Sequence, residues 1–170
     1  DQRLRERGTA AHSTVEVAGR DSSEVWSGFR VGRRAYPVGL QVEGTRISCA
    51  HDGYRFLPGA PEHRRTWMLT DRMLEVEDRL APDRHAAVAR YPIAPGLTLA
   101  ALDSGTCRID AGGTPLATVQ VLAGRARAVA SRHAAGCGVV VPNETLEVAL
   151  TEGRARTRWS WNHDAHPVPH

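Results

Sequence analysis

The sequence predicts an all-β fold: two packed antiparallel sheets of sandwich type, with helix confined to single turns. Apolar residues recur with a period of two along most of the chain, glycine-bearing turn signals break these runs at short intervals, and no amphipathic helix of convincing length is present. Successive side chains of a strand point to opposite faces, so a half-buried strand alternates apolar and polar residues.

The elements follow in order. Val15 and Val17 share one face of an early strand, and His12, Thr14 and Glu16 share the other. The valine face is expected to meet the core, which leaves the histidine face polar and open. Val38, Leu40 and Val42 form a run that Glu43-Gly44 separates from Thr45, Ile47 and Cys49. Leu74, Val76 and Leu80 alternate with Glu75, Glu77 and Arg79. Val119 to Leu122 leads through Ala123-Gly124 into Arg125 to Ala135, an Ala- and Arg-rich stretch whose composition also suits a helix. It lies between two turn signals in a chain of strands and is read as strand. Leu146, Val148 and Leu150 precede Glu152-Gly153, and Ala155, Thr157, Trp159 and Trp161 follow it.

Each of the three glycine pairs reads as a hairpin, because Gly supplies the positive φ of a tight turn. In the last hairpin Glu147 is expected to face an arginine of the next strand. About ten to twelve strands in this length imply two layers. Trp26, Trp67, Trp159 and Trp161 sit in patterns suited to a core. Residues 1–162 are read as a single β domain, and the Pro-rich stretch His163 to His170 as a loose tail.

With 170 residues the chain has room for one domain with a sizeable core. No run of about 18 apolar residues exists that would span a membrane as a helix. The chain begins at Asp1, and no secretory leader pattern is visible. There is no lysine, so all the positive charge is arginine, interleaved along strands with 19 acidic residues for a net charge of +3. Nucleic-acid binders concentrate basic charge on one face, and this linear pattern argues against that class. Cys49, Cys107 and Cys137 are odd in number and lack CxxC spacing, so they read as small buried thiols.

Several local constellations invite a chemical reading. His163, His166 and His170 with Asp164 look like a metal cluster, but Pro167 and Pro169 forbid a regular helix there, and a solvated tail is preferred. His51-Asp52-Gly53-Tyr54 contains the Asp-Gly turn pair and reads as structural before it reads as acid–base chemistry. His63 and His85 fall at strand starts, where surface positions are expected. Arg30, Arg33 and Arg34 suit a bidentate grip on carboxylate or sulfate; pairing with Asp21 or Glu24 is the competing reading.

A family resemblance runs through the chain. Ala11-His12-Ser13-Thr14 opens a strand, Gly19-Arg20-Asp21-Ser22-Ser23-Glu24 forms a turn, and Phe29-Arg30-Val31-Gly32-Arg33-Arg34 follows. His51-Asp52-Gly53-Tyr54, His63-Arg64-Arg65, Asp78-Arg79-Leu80, Ala94-Pro95-Gly96 and Asn143-Glu144-Thr145-Leu146 come later in order. This series resembles heparinase II/III-like polysaccharide lyases, over roughly Arg5 to Trp161. Ser13 replaces the usual Asn, Tyr91-Pro92 stands where a Phe-His pair is common, and Ala135-Gly136-Cys137 replaces a bulkier pair.

The resemblance implies the C-terminal β part of an enzyme whose N-terminal α/α-toroid domain is missing here. The implied function is cleavage of a uronic-acid-containing polysaccharide, glycosaminoglycan- or alginate-like, by β-elimination: a carbon–oxygen lyase. A base removes the proton beside the sugar carboxylate and an acid protonates the leaving oxygen. The family's Tyr and His for this step lie upstream, so the catalytic and substrate-binding residues are unknown here and the fragment is expected to be inactive. The resemblance makes His12 one of three ligands of a zinc in the full-length parent, with no metal expected in the fragment. The implied partners are an acidic polysaccharide and the N-terminal helical domain; neither a nucleic acid nor a membrane span is expected. The implied location is the cell envelope or periplasm, or secretion. The alternative is a non-catalytic carbohydrate-binding or structural β-sandwich, which the 5% aromatic content disfavours.

Overall fold

The computed structural model describes residues 2–26, 30–103, 105–136 and 138–161. Fourteen strands run through them: β1 (Val15–Val17), β2 (Val25–Trp26), β3 (Arg30–Val31), β4 (Pro37–Glu43), β5 (Arg46–His51), β6 (Glu62–Thr70), β7 (Met73–Ala81), β8 (Ala87–Pro92), β9 (Leu97–Ala101), β10 (Thr106–Ala111), β11 (Thr114–Ala123), β12 (Arg125–Gly136), β13 (Val139–Ala149) and β14 (Arg154–Trp161). Helix among the described residues is limited to α1 (Gln2–Arg7) and a 3-10 turn at Thr9–Ala11. The all-β expectation holds, including at Arg125 to Ala135, which is strand β12 paired along β13.

Two antiparallel sheets make the body. One has eight strands in the order β4-β5-β6-β7-β14-β11-β10-β9, the other four in the order β1-β8-β13-β12. β2 and β3 form a small separate ribbon. The apolar parity predicted from sequence faces the gap between the sheets on β1, β7, β13 and β14, whereas Leu40 and Val42 of β4 and Ile47 of β5 are exposed. Val15 and Val17 are fully buried in that gap, with Tyr54, Val119, Leu146 and Val148. Trp67 and Trp159 pack against this core, but Trp26 does not join it. It is 48% exposed on the two-residue strand β2, with the Arg30 guanidinium 5.0 Å from its ring centre. The ribbon lies outside both sheets and gives Trp26 no core face to occupy. The tail His163 to His170 and Cys137 lie outside the described residues. Cys49 and Cys107 are free and partly buried.

Only one of the three glycine turns behaves as predicted. Glu43-Gly44 closes the β4–β5 hairpin. Ala123-Gly124 instead carries the chain from the eight-stranded sheet to the four-stranded one, and Glu152-Gly153 carries it back. Both glycines have positive φ, and both are also held by close approach. A Cβ on Gly124 would lie 2.7 Å from the Ala149 carbonyl oxygen; on Gly153 it would lie 2.6 Å from the Asp83 Cβ. Glu147 therefore never faces the following strand. It bonds Arg90 of β8 on one side and Arg127 of β12 on the other, extending through Arg90 to Glu16.

Candidate functional site

The residues with most chemistry meet where β5, β6 and β7 pass beneath β1 and β8. Cross-strand register sets them in two rows on the inner face. His51 lies opposite His63, and Arg65 lies opposite Asp78. Opposed residues of neighbouring strands share a face, so these polar groups project into the gap between the sheets.

Asp78 is fully buried and is the hub. Its Oδ1 accepts from His63 Nε2 and from Arg65 Nε, each at 2.7 Å. Its Oδ2 accepts from Arg65 Nη2 at 2.9 Å and from the Tyr91 hydroxyl at 3.1 Å. Burial pushes the carboxyl up, but the His63 hydrogen bond and the Arg65 charge outweigh it and hold Asp78 at about 2. Burial likewise raises the Tyr91 hydroxyl, reinforced by the Asp78 charge.

The histidines form a directed chain. The Gly53 N–H donates to His51 Nδ1 at 3.2 Å, which places the proton of the neutral ring on Nε2. That nitrogen then donates to His63 Nδ1 at 3.0 Å, and His63 donates from Nε2 to Asp78. Burial, with His63 alongside, lowers His51 to about 4, in keeping with a neutral ring. Both nitrogens of both rings are engaged, and neither ring has a lone pair left to act as a base.

The cluster instead fastens the N-terminal segment. Arg65 Nη1 donates to the Ser13 carbonyl at 2.6 Å, and the buried Tyr54 hydroxyl donates to the Val15 carbonyl at 2.7 Å. The Arg20 N–H bonds the Val17 carbonyl at 2.9 Å. These bonds occupy the carbonyls on the edge of β1 away from β8. His12 just precedes this anchored stretch. It is exposed, extended in backbone, and caps the 3-10 turn through its N–H to the Thr9 carbonyl. It thus sits before β1 rather than on it. Among the described residues no group of three His, Cys, Asp or Glu side chains is placed to hold a metal. His12 offers one donor, and the described residues by themselves do not fit a zinc site.

The other expected residues separate. His63 was expected at the surface and is buried instead, because its place on β6 is at core parity with Trp67. His85 bonds the Pro58 carbonyl at 2.8 Å. His51-Asp52-Gly53-Tyr54 is a turn, as expected, with Asp52 Oδ1 accepting the Tyr36 N–H. Its two ends reach further, His51 into the buried chain and Tyr54 to β1. Arg33 donates to the carbonyls of Ser22, Gly53 and Asp21 and stacks 3.7 Å over Phe56, so it ties loops together. Arg34 is exposed. Arg65, Asp78 and Tyr91 were not singled out as site residues. Asp78 had a signal, since it shares parity with Val76 and Leu80 and is a charge on a core face.

The fold and this anchored segment can be set against known proteins. The sequence model described as "Heparinase II/III-like, C-terminal" matches residues 1–167. The chain belongs to the heparinase II/III-like family. No curated protein sequence matches it. Among solved structures it is similar to a heparinase III with methylated lysines, at TM-score 0.68 and 13% identity over 94% of this chain and 25% of that one. The heparan sulfate lyase HepC from Pedobacter heparinus superposes at TM-score 0.66 and 10% identity, over 98% of this chain and 26% of that one. At such identities the likeness is one of fold. The chain spans about a quarter of the length of these heparinase II/III-like neighbours.

Proposed function

We propose that this chain is the C-terminal β domain of a polysaccharide lyase that cleaves uronic-acid-containing chains, glycosaminoglycan- or alginate-like, by β-elimination. The observation that carries the reading is the family match across residues 1–167, joined to a fold shared with lyase structures four times as long. Elimination needs a base beside the sugar's acidic C–H and an acid at the leaving oxygen. The buried histidines here have both ring nitrogens engaged. The base and acid are therefore supplied by the longer protein, through an N-terminal helical domain, and this chain alone is inactive.

In this reading the domain presents His12 on a firmly anchored segment, as one of three protein ligands to a zinc in the longer protein. The longer protein works in the cell envelope or periplasm, or is secreted, where acidic polysaccharides are met.

The test is to incubate the full-length protein and the 170-residue chain separately with heparan sulfate, hyaluronan and alginate, following unsaturated-uronate absorbance. Absorbance from the full-length protein alone supports the reading. None from the full-length protein on any uronic-acid polymer, or product from the short chain, overturns it. His12→Ala in the full-length protein should lower zinc content and turnover together; if the folded variant keeps both, His12 is not a ligand.

A further inference from the structure

The outer face of the eight-stranded sheet, turned away from the core, is unusually rich in arginine. β5, β6, β7 and β14 show Arg46, Arg64, Arg79, Arg154, Arg156 and Arg158 on this side, against Glu62, Glu75 and Glu77. At the β4 margin Glu43 lies opposite Arg46. Over β7 and β14 the carboxylates lie low and the guanidinium groups lie above them, whereas Glu62 on β6, 39% exposed, stands level with Arg64 at 35%. Glu75 is 7% exposed beneath Arg156 and Arg158, whereas Arg158 is 40% exposed; Glu77 is 23% exposed and Arg79 63%. Over β7 and β14 the surface met from solvent is therefore positive.

Register adds a second observation. Arg154, Arg79 and Arg64 lie directly opposite one another on three adjacent strands. Like charges so opposed weaken a sheet. Arg79 and Arg154 both reach Glu77 through Nε, at 2.6 and 3.0 Å, leaving their Nη groups for another anion. Along β14 the arginines recur every second residue, about 7 Å apart, along one extended strand.

We propose that this face is a binding surface for an extended acidic polysaccharide, taken up by guanidinium forks on its carboxylate or sulfate groups. The inference rests on the lyase reading and adds to it a place where the polymer is held. The guanidinium fork matches carboxylate and sulfate oxygens in pairs. Between the arginines stand Thr66 and Ser160, hydroxyls suited to sugar. The tryptophans of β6 and β14 point to the opposite, inner face, so no ring is offered for base stacking, and a single-stranded nucleic acid is disfavoured.

The test compares two triple variants of the full-length protein. Arg46→Gln/Arg79→Gln/Arg158→Gln neutralises the face while leaving Glu77 its bond to Arg154 and Glu75 its bonds to Arg156. Arg84→Gln/Arg125→Gln/Arg132→Gln removes the same charge at exposed positions elsewhere. Binding to immobilised heparin is measured against salt, with dextran as the neutral control and oligo-dT as the nucleic-acid control.

The face variant should bind heparin about tenfold more weakly, with a shallower salt dependence, and the distal variant should bind like wild type. Equal loss in both variants, or loss in neither, overturns the proposal. So does a wild-type preference for oligo-dT over heparin that the face variant abolishes. Lyase activity of the wild type is read separately: cleavage together with unaltered heparin binding by the face variant rejects this surface and leaves the lyase reading intact.

Discussion

Two clusters of arginine and carboxylate stand on opposite faces of the eight-stranded sheet, both centred on β7, and they behave differently. On the inner face Asp78 receives one histidine, one arginine and one tyrosine, all in fixed geometry and away from water. On the outer face Glu75 and Glu77 are each shared between two arginines that water also reaches. A buried charge without its partner has nowhere to go, whereas an exposed one is resolvated at small cost. The inner cluster should therefore specify structure, and the outer lattice should be free to vary or to bind.

The comparison breaks most directly at Asp78. Asp78→Ala leaves the Arg65 charge buried and uncompensated and is expected to destabilise by about 3–5 kcal/mol, read from the urea midpoint. A loss under 1 kcal/mol would mean that water reaches this cluster.

Acid should reveal the cluster in two steps. The folded-state values of His51 and Asp78 are both lowered, to about 4 and about 2. As pH falls below 6.5 the unfolded chain protonates His51 first, so stability present above that value is lost by about pH 4. The amount is of order 2 kcal/mol, allowing for the solvent that reaches the ring. The Asp78 contribution, also about 2 kcal/mol, is present above the ordinary carboxylate value and is lost as pH falls toward 2. In His51→Gln the upper step should vanish from urea midpoints taken across this range, with the lower one retained.

A smaller effect concerns the anchor on β1. Tyr54→Phe removes the donor to the Val15 carbonyl and should cost about 1–2 kcal/mol. Hydrogen exchange in residues 13–17 should rise more than exchange in β13; an equal rise in both would show a global effect and deny the anchor. Smallest of all is the outer lattice. Glu75→Gln should cost less than about 1 kcal/mol, and the difference should shrink in 1 M salt.

Much of the fold was legible in the residues. Alternation located β1, β4, β5, β7, β11, β13 and β14, and Val15, Val17, Val76, Leu80, Leu146 and Val148 reached the core their parity predicted. The order of short motifs pointed to the family. The buried cluster was less legible. His63 resembled a surface residue because histidine at a strand start usually is one, and nothing nearby in sequence announces that Asp78 lies across from Arg65. Tyr54 was read only as part of a turn, since its partner Val15 lies far away along the chain.

By itself the sequence determined the all-β class, the positions of about half the strands and, on β1, β7, β13 and β14, which side is apolar. These follow from the two-residue pleat, a geometry set within a few residues. Only the tertiary structure decided which sheet each strand joins. The turns at Gly124 and Gly153 could each close a hairpin or cross between layers, and local φ values serve either outcome. Packing chose the crossing: β14 found β7 and β11, burying Ala155 and Thr157 against strands distant in sequence, while β12 paired with the next strand, β13, in the other sheet. The register of the consecutive strands β6 and β7 set Arg65 beside Asp78 and Arg64 beside Arg79, and the long-range pairing of β14 with β7 added Arg154 to that row on the opposite face.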